Sequence, residues 1–443
     1  MDIYIAGGGR VGFHLARLLS SEKHSVTVLE RDAARAREID NVLDAQVVEG
    51  DASSALTLQE TGAPNADLFV SMTGDDEVNL IAAAIAKGLG AKQTVARVEK
   101  TEYIEGSMLY EASLGIDFLL SPDALTALEI AEYIQSPGML AAEQFGRGRV
   151  KMRQMRVNRL PAKSVVLKDL RLPQGVLVAL IRRASHSFIP HGESRVEKGD
   201  VLVVIGEPSA VDEVQKTFAG TEPKPQKIAI MGGGEVGFHL AHLLEHQHEW
   251  VKIFEMSESR CKELAGKLSR VDVLHADATK KSVLEEEFIG EADVFVATTD
   301  DDERNIMASL LAREVGAGMA ICVVHQPDFA ELVQKLGIDY TVTPRACVAN
   351  RIMRLVHQKQ FSSLAILEES GIELVEFFIK EDSSVANVPL EEIRFPGGAL
   401  VAAILRGKEV IVPRGSDRLQ PGDSVIVVAS PETHNELLKL FAS

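Results

Sequence analysis

The stretch Ile5-Ala6-Gly7-Gly8-Gly9-Arg10-Val11-Gly12-Phe13-His14-Leu15-Ala16 closes a short apolar run and opens an amphipathic helix pattern through a G-x-G-x-x-G loop. It returns as Ile230-Met231-Gly232-Gly233-Gly234-Glu235-Val236-Gly237-Phe238-His239-Leu240-Ala241, an offset of 225 residues in a chain of 443. In such a loop the first glycine (Gly7, Gly232) makes the tight turn out of the strand. The second (Gly9, Gly234) lets the backbone approach a pyrophosphate, and the third (Gly12, Gly237) lets the helix pack on the strand. The helix N-terminus then presents free N–H groups and a partial positive charge to phosphate. Glu30 ends the next apolar run 18 residues beyond Gly12, and Glu255 stands 18 beyond Gly237. A carboxylate there accepts hydrogen bonds from ribose hydroxyls and repels a 2′-phosphate, which favours NAD or NADH over NADP. A glycine turn that only packs a helix is the competing explanation, and the repeated acid argues against it.

Outward from the first loop, short β-branched or apolar runs alternate with helix-length segments. The runs are Ile3 to Ala6, Val26 to Leu29, Gln46 to Val48, Leu68 to Met72, Thr94 to Val98 and Phe118 to Leu120; the helices include Val11 to Leu19, Glu77 to Lys87 and Glu102 to Ala112. This rhythm predicts a parallel, doubly wound sheet covered on both faces. Pro122 at a first helical position opens a further helix, Asp123 to Ile134. From about Arg149 to Phe218 the text turns β-rich, with Val176 to Ile181 and Asp200 to Ile205 as strands and a short helix from Pro208. Thr221-Glu222-Pro223-Lys224-Pro225-Gln226 reads as a linker, after which the programme restarts at Lys227. In the second copy Lys252 to Glu255 and Val294 to Thr298 are strands, Glu303 to Glu314 is a helix, and a β-rich module follows over about 362 to 441. The pair Gly199-Asp200 returns there as Gly422-Asp423.

Other repeated positions belong at the carboxyl ends of the strands, where ligands of open α/β sheets bind. Gly50-Asp51-Ala52 matches Ala276-Asp277-Ala278, and Thr73-Gly74-Asp75-Asp76-Glu77 matches Thr299-Asp300-Asp301-Asp302-Glu303. Asp75 and Asp301 are equally well explained as helix caps. Arg97, at the end of the fifth strand, is placed to offset phosphate charge; its counterpart is Val323.

A composition of 46% hydrophobic and 25% charged residues is globular, and a formal net charge of −18 disfavours nonspecific binding to nucleic acid or anionic lipid. No apolar run approaches the ~18 residues that span a bilayer, and Met1 leads straight into a strand without a signal-peptide pattern, so a cytosolic or peripheral protein is expected. Cys261, Cys322 and Cys347 lack C-x-x-C spacing and read as small core residues. Tyr-x-x-x-Lys, G-x-S-x-G, Walker and H-E-x-x-H patterns are all missing, so no catalytic set and no metal site is assigned. His239, His242 and His246 share a helix face, which reads as solvated or partly buried histidines rather than a metal site. Arg147, Arg149, Lys151, Arg153, Arg156 and Arg159 alternate with Val150, Met152, Met155 and Val157, as an exposed edge strand or a docking surface for an acidic partner would.

The order of these features, from Gly7-Gly8-Gly9-Arg10-Val11-Gly12 through Glu30, Gly50-Asp51-Ala52, Thr73 to Asn79 and Arg97 to a β module with Gly199-Asp200, resembles the RCK, or regulator-of-potassium-conductance, domain family. The resemblance covers essentially the whole chain, twice. It implies an α/β fold of two tandem Rossmann-like domains, 1–136 and 226–360, followed by small α+β domains of RCK C-terminal type, 137–221 and 361–443. It implies a first nucleotide site of Gly7, Gly8, Gly9, Arg10, Val11, Glu30, Asp51, Ala52, Thr73, Gly74 and Arg97. The second would hold Gly232, Gly233, Gly234, Glu235, Val236, Glu255, Asp277, Thr299 and Asp300. NAD or NADH is the expected ligand of the first site, with ATP or ADP as competing regulatory ligands. The second departs at Asp300 and Val323, so NAD, an adenine mononucleotide and no ligand all stay open there. The resemblance further implies a regulatory subunit, not an enzyme, peripheral on the cytosolic face of the inner membrane. It would assemble as a homotetramer closing a ring of eight RCK domains against a membrane-embedded Trk-type potassium transporter. Rival readings are an NAD-dependent oxidoreductase with a degenerate second repeat and a purely structural ring with empty crevices.

Overall fold

A computed structural model describes residues 1–135, 139–145, 149–170, 172–183, 186–218, 227–248, 250–326, 329, 332–333, 335–357, 364–367, 372–396, 399–407, 409–430 and 433–442. The expected linker at 221–226 and Arg147 lie outside the described residues. The chain forms two compact units, one built from 1–135 and 225–353 and the other from 136–224 and 354–443.

In the first unit the N-terminal strands are β1 (Asp2–Ala6), β2 (Ser25–Glu30), β3 (Gln46–Glu49), β4 (Leu68–Ser71), β5 (Thr94–Arg97) and β6 (Phe118–Leu120). They lie in the parallel order β3-β2-β1-β4-β5-β6. Ile3, Tyr4, Ile5 and Ala6 are all buried, as are Leu68 to Ser71, because both faces of the sheet are covered. The covering helices are α1 (Arg10–Ser21), α2 (Ala33–Val42), α3 (Ala55–Glu60), α4 (Asp76–Leu89), α5 (Thr101–Glu105), α6 (Ser107–Leu114) and α7 (Pro122–Gln135). The single helix expected over Glu102 to Ala112 is two, because Gly106 at φ −92°, ψ 12° ends α5 and begins α6. After the first small domain (β7 to β13 and α8, below) the arrangement repeats as β14 (Lys227–Met231), α9 (Glu235–Leu244), β15 (Trp250–Glu255), α10 (Glu258–Lys267), β16 (Asp272–His275), α11 (Lys281–Glu286), β17 (Val294–Ala297), α12 (Asp302–Val315), β18 (Met319–Val323) and β19 (Tyr340–Val342). Its sheet order, β16-β15-β14-β17-β18-β19, is the same. The helix Pro344–His357 then answers α7.

The two sheets of this unit are joined through α7, which packs along α9. Tyr133 stacks on Tyr340 with ring centroids 3.9 Å apart, and Tyr340 donates through Oη to Glu129 Oε1 at 2.9 Å. Cys347 Sγ donates to the other oxygen of Glu129 at 3.0 Å. All three cysteines are buried and reduced, and burial pushes the Cys322 thiol up to about 12.

In the second unit, β7 (Met139–Phe145), β8 (Val150–Arg156), β10 (Val176–Arg183), β11 (His186–Phe188) and β13 (Val201–Gly206) form an antiparallel sheet in the order β11-β10-β13-β8-β7. A ribbon of β9 (Ser164–Val166) and β12 (Arg195–Glu197) and the helix α8 (Pro208–Phe218) complete the first module. The second repeats the sheet as β20 (Leu364–Leu367), β21 (Ile372–Phe378), β22 (Leu400–Arg406), β23 (Glu409–Ile411) and β24 (Ser424–Ala429), ordered β20-β21-β24-β22-β23. Each carries a register shift at one place, Val178/Leu180 and Val401/Ala403. Asp200 and Asp423 are buried because each is gripped by an arginine through two bonds, Arg183 at 2.9 Å and 2.9 Å and Arg406 at 3.0 Å and 2.8 Å. One face of each sheet meets the other in a shared core that includes Phe145, Met152, Leu180, Ile205, Leu374, Ala403 and Ile426.

β8 is not the exposed edge that its charges suggested, since β7 pairs along its outer side. Two of its basic residues already have an acid within the module. Lys151 and Arg153 both pair with Asp212 of α8, at 2.8 Å and 2.7 Å, while Met152 faces the shared core and Met155 the core under α8.

Candidate nucleotide sites

The first glycine turn is held from three directions. Gly7 has φ +107°, and an added Cβ would lie 2.9 Å from the backbone of Met72 and Thr73, so both conformation and space demand glycine. A Cβ on Gly12 would lie 2.0 Å from the Gly7 carbonyl oxygen, which fixes how closely α1 follows β1. Glu30 at the end of β2 then pins the turn: one oxygen accepts from Gly8 N at 2.7 Å and the other from Asp32 N at 2.9 Å. Arg35 caps the far side, donating through Nε to the Gly8 carbonyl at 2.9 Å. At Gly9, by contrast, a Cβ would meet nothing within 4 Å, and the start of α1 has no side-chain cap. Unclaimed helical N–H groups over open space beside a carboxylate fit a phosphate and ribose.

The wall opposite is built by a buried asparagine. Asn79 Oδ1 accepts from Thr73 N and Thr73 Oγ1, both at 2.8 Å, and its Nδ2 donates to the carbonyls of Thr73 and Arg97, both at 3.1 Å. Arg97 donates to the Thr73 carbonyl at 3.5 Å and pairs with Glu99. Asp76, also buried, accepts from the backbone of Glu99 and Lys100 and so fixes the loop after β5. Asp51 turns on Ser53, and those bonds hold its carboxyl below the usual carboxylate range.

The second cradle reproduces this geometry. Gly232 has φ +105°, Glu255 accepts from Gly233 N at 2.8 Å and Ser257 N at 2.7 Å, and Arg260 Nε donates to the Gly233 carbonyl at 2.7 Å. Asn305 plays the part of Asn79, joining Thr299 to the Val323 carbonyl at 3.0 Å. A cavity of about 720 Å³ opens here, lined by Gly232, Gly234, Glu255 and Thr299 and, from the N-terminal domain, by Arg10, Arg97, Glu99 and Asp123. The second cradle is therefore walled by both domains of the unit.

Two family models each match the chain twice. The TrkA-N domain matches 3–122 and 228–344, and the TrkA-C domain matches 165–219 and 374–442. The chain belongs to the TrkA family. It is 34% identical to the Trk system potassium uptake protein TrkA homolog 1 of Methanosarcina mazei over 452 residues, with the whole of both chains covered. It is 33% identical to TrkA of Halomonas elongata over 96% of this chain and 95% of that one. The crystal structure of the GsuK RCK domain has the same fold, with a TM-score of 0.65 at 18% identity over 100% of this chain and 95% of that chain. The GsuK channel bound to NAD superposes with a TM-score of 0.65 at 19% identity over 100% of this chain and 79% of that one.

Of the residues expected in the first site of this TrkA-family chain, Gly7, Gly8, Gly9, Arg10, Val11, Glu30, Asp51, Thr73, Gly74 and Arg97 all lie at or just beyond the carboxyl ends of β1 to β5. Ala52 is at the same rim, but its side chain is buried in the core with Tyr4 and Phe69. In the second copy Gly233 is buried under the turn, whereas Glu235, Val236, Asp277 and Asp300 line the cavity with the other expected residues. Asp75 and Asp301 are helix caps, accepting from Val78 N at 2.9 Å and Arg304 N at 3.0 Å. Sequence reading missed Asn79 and Asn305 as organisers of the wall; for Asn79 a polar residue inside the buried, alanine-rich face of α4 was the available signal, and for Asn305 its place in the repeat, 226 residues further on. It also missed Arg35 and Arg260, which sit five residues beyond each ribose-side acid. The expected histidine face is not formed on one helix, because α9 ends at Leu244; His242 in its last turn and His246 beyond it both approach Glu245, whose carboxylate is held by Ser269 and Arg270. Among the described residues no group of three His, Cys, Asp or Glu side chains is arranged to hold a metal.

Proposed function

We propose that this chain is the nucleotide-binding regulatory subunit of a potassium uptake system and that the first cradle takes NAD or NADH. The observation that carries the reading is the duplicated cradle itself, with open space at Gly9 facing uncapped N–H groups and Glu30 fixed at the ribose side. Kinship with proteins named for Trk potassium uptake supplies the ion, and GsuK structures solved with NAD and with ADP supply the ligand class. The sequence carries no Tyr-x-x-x-Lys, G-x-S-x-G, Walker or H-E-x-x-H pattern to supply a catalytic set, and on this reading the nucleotide acts as a signal rather than a reactant. Its effect follows from differential affinity: a ligand that contacts Gly9, Glu30 and Arg97 better in one conformation shifts the population toward it. The chain would pass that shift to a separate membrane-embedded transporter at the cytosolic face, as a tetramer closing a ring of eight RCK domains. No helix among the described residues is long and apolar enough to cross a membrane, so ion conduction is assigned to that partner.

Calorimetric titration of the intact protein with NADH, NADPH, ADP and ATP tests the ligand. NADH is expected to bind at least tenfold more tightly than NADPH, because Glu30 repels a 2′-phosphate. Glu30→Ala should weaken NADH by roughly 1–3 kcal/mol, with Glu30→Gln between the two since it keeps an acceptor for Gly8 N. Equal affinity for both dinucleotides would remove Glu30 from the ribose. Steady oxidation of NADH by hydroxy or keto acids would instead establish an oxidoreductase.

A further inference from the structure

The two cradles share a backbone and carry opposite charges at one position. Arg10 is the first residue of α1 and Glu235 the first of α9. Glu235 is fixed at both oxygens: Oε1 accepts from Arg260 Nη2 at 2.9 Å, and Oε2 accepts from Thr101 Oγ1 of the N-terminal domain at 2.7 Å. Arg260 is at the same time bonded to the Gly233 carbonyl, so its guanidinium and the Glu235 carboxylate are held beside the glycine turn. Arg35 makes the matching bond to Gly8 and pairs with Glu38 of its own helix as Arg260 does with Glu263, but the first turn of α1 holds no carboxylate for it to join.

Glu235 faces the cavity of the second cradle, in strongly acidic company. Five carboxylates of the second domain, those of Glu235, Glu255, Asp277, Asp300 and Asp301, line it, and the N-terminal domain adds Glu99 and Asp123. Four guanidinium groups, those of Arg10, Arg97, Arg304 and Arg345, line it too, but Arg97 is paired with Glu99 and Arg304 with Asp277. On the ribose side nothing has changed, since Glu255 is held as Glu30 is.

We propose that Glu235 sets ligand choice at the second cradle: it excludes the dinucleotide and longer phosphate chains and leaves the site to adenine ligands with no more than one phosphate. The positive end of α9, which would stabilise a phosphate, already has a carboxylate in its first turn, and the Arg260 guanidinium beside it is already shared between that carboxylate and Glu263. Each added phosphate brings another like charge against that wall, whereas the adenosine end meets the same acid and backbone as in the first cradle. Selection is therefore by phosphate count and not by base or sugar. This inference rests on the nucleotide-binding reading given above.

The test titrates the full-length protein with NADH and with AMP, comparing wild type, Glu235→Arg and Glu235→Gln. Wild type should take one NADH per chain and bind AMP at a further site. Glu235→Arg should gain a second NADH per chain, its affinity there rising about tenfold or more, the scale of reversing one close charge. Glu235→Gln, which keeps the shape and the Thr101 bond, should gain less. Adding Glu255→Ala to Glu235→Arg should remove only the gained site, and thermal melts establish that each variant is folded. Two equivalent NADH sites in wild type, no further site for AMP, or a folded Glu235→Arg with unchanged stoichiometry would overturn the assignment to Glu235. Absence of NADH binding at any site would overturn the nucleotide reading itself, a distinguishable result.

Discussion

Asp123 stands in the first turn of α7 with its carboxyl pushed up to about 6, chiefly by burial, with Glu99, Glu235 and Asp300 adding to the rise and Arg97 opposing it. Between the ordinary value of 3.8 and that raised value the folded chain binds more protons at this group than the unfolded chain does, so its contribution to stability falls as pH rises through the window. Above pH 6 the fold carries the whole cost, at most about 3 kcal/mol. Asp123→Asn should therefore raise the melting temperature at pH 8 and leave it nearly unchanged at pH 4; an equal gain at both would show that ionisation is not the source. His14 on α1 has the opposite sense, since burial and then Arg345 and Arg17 lower it to about 4 and its contribution is lost as pH falls below 6.5. Neither shift was legible in the sequence, because each depends on groups from both domains of one unit. Glu30 was legible by spacing as a ribose acid, but its grip on the Gly8 and Asp32 amides was not, as those bonds exist only once β2 lies beside β1.

At the scale of elements, the glycines of α1 divide into two kinds. Gly12→Ala forces a Cβ against the Gly7 carbonyl and should cost roughly 1–3 kcal/mol of stability. Gly9→Ala meets nothing in the protein and should melt like wild type while losing NADH, because the new methyl fills the cradle. Melting curves paired with titrations separate the two, and a destabilised Gly9→Ala would mean that the open space is not what distinguishes it. The parallel strands were readable because burial on both faces makes each an uninterrupted apolar run, as in Leu68 to Ser71. β8 was misread because alternating charge looks the same whether it faces water or Asp212 across a helix. β7, with Ala-Ala-Glu-Gln at its centre, gives no alternation to announce the strand that covers it.

For the whole molecule, light scattering should give a mass near four times the 48.1 kDa of the chain if RCK domains close a ring of eight; a stable monomer at micromolar concentration would exclude the ring. The internal repeat made the number and kind of domains readable, but not which domain pairs with which. The sheet faces of the small modules are apolar on either reading, and periodicity does not name a partner.

The shared core of those modules bears on how the chain is made. Phe145 and Ile205 leave the ribosome more than 150 residues before Leu374 and Ile426 exist to cover them. During translation the first module must wait with an apolar sheet face bare, so synthesis passes through an aggregation-prone stage that only the last fifth of the chain brings to an end. A first half expressed alone, residues 1–221, should accordingly be recovered as aggregates or self-paired dimers, and co-expression of 226–443 should restore solubility.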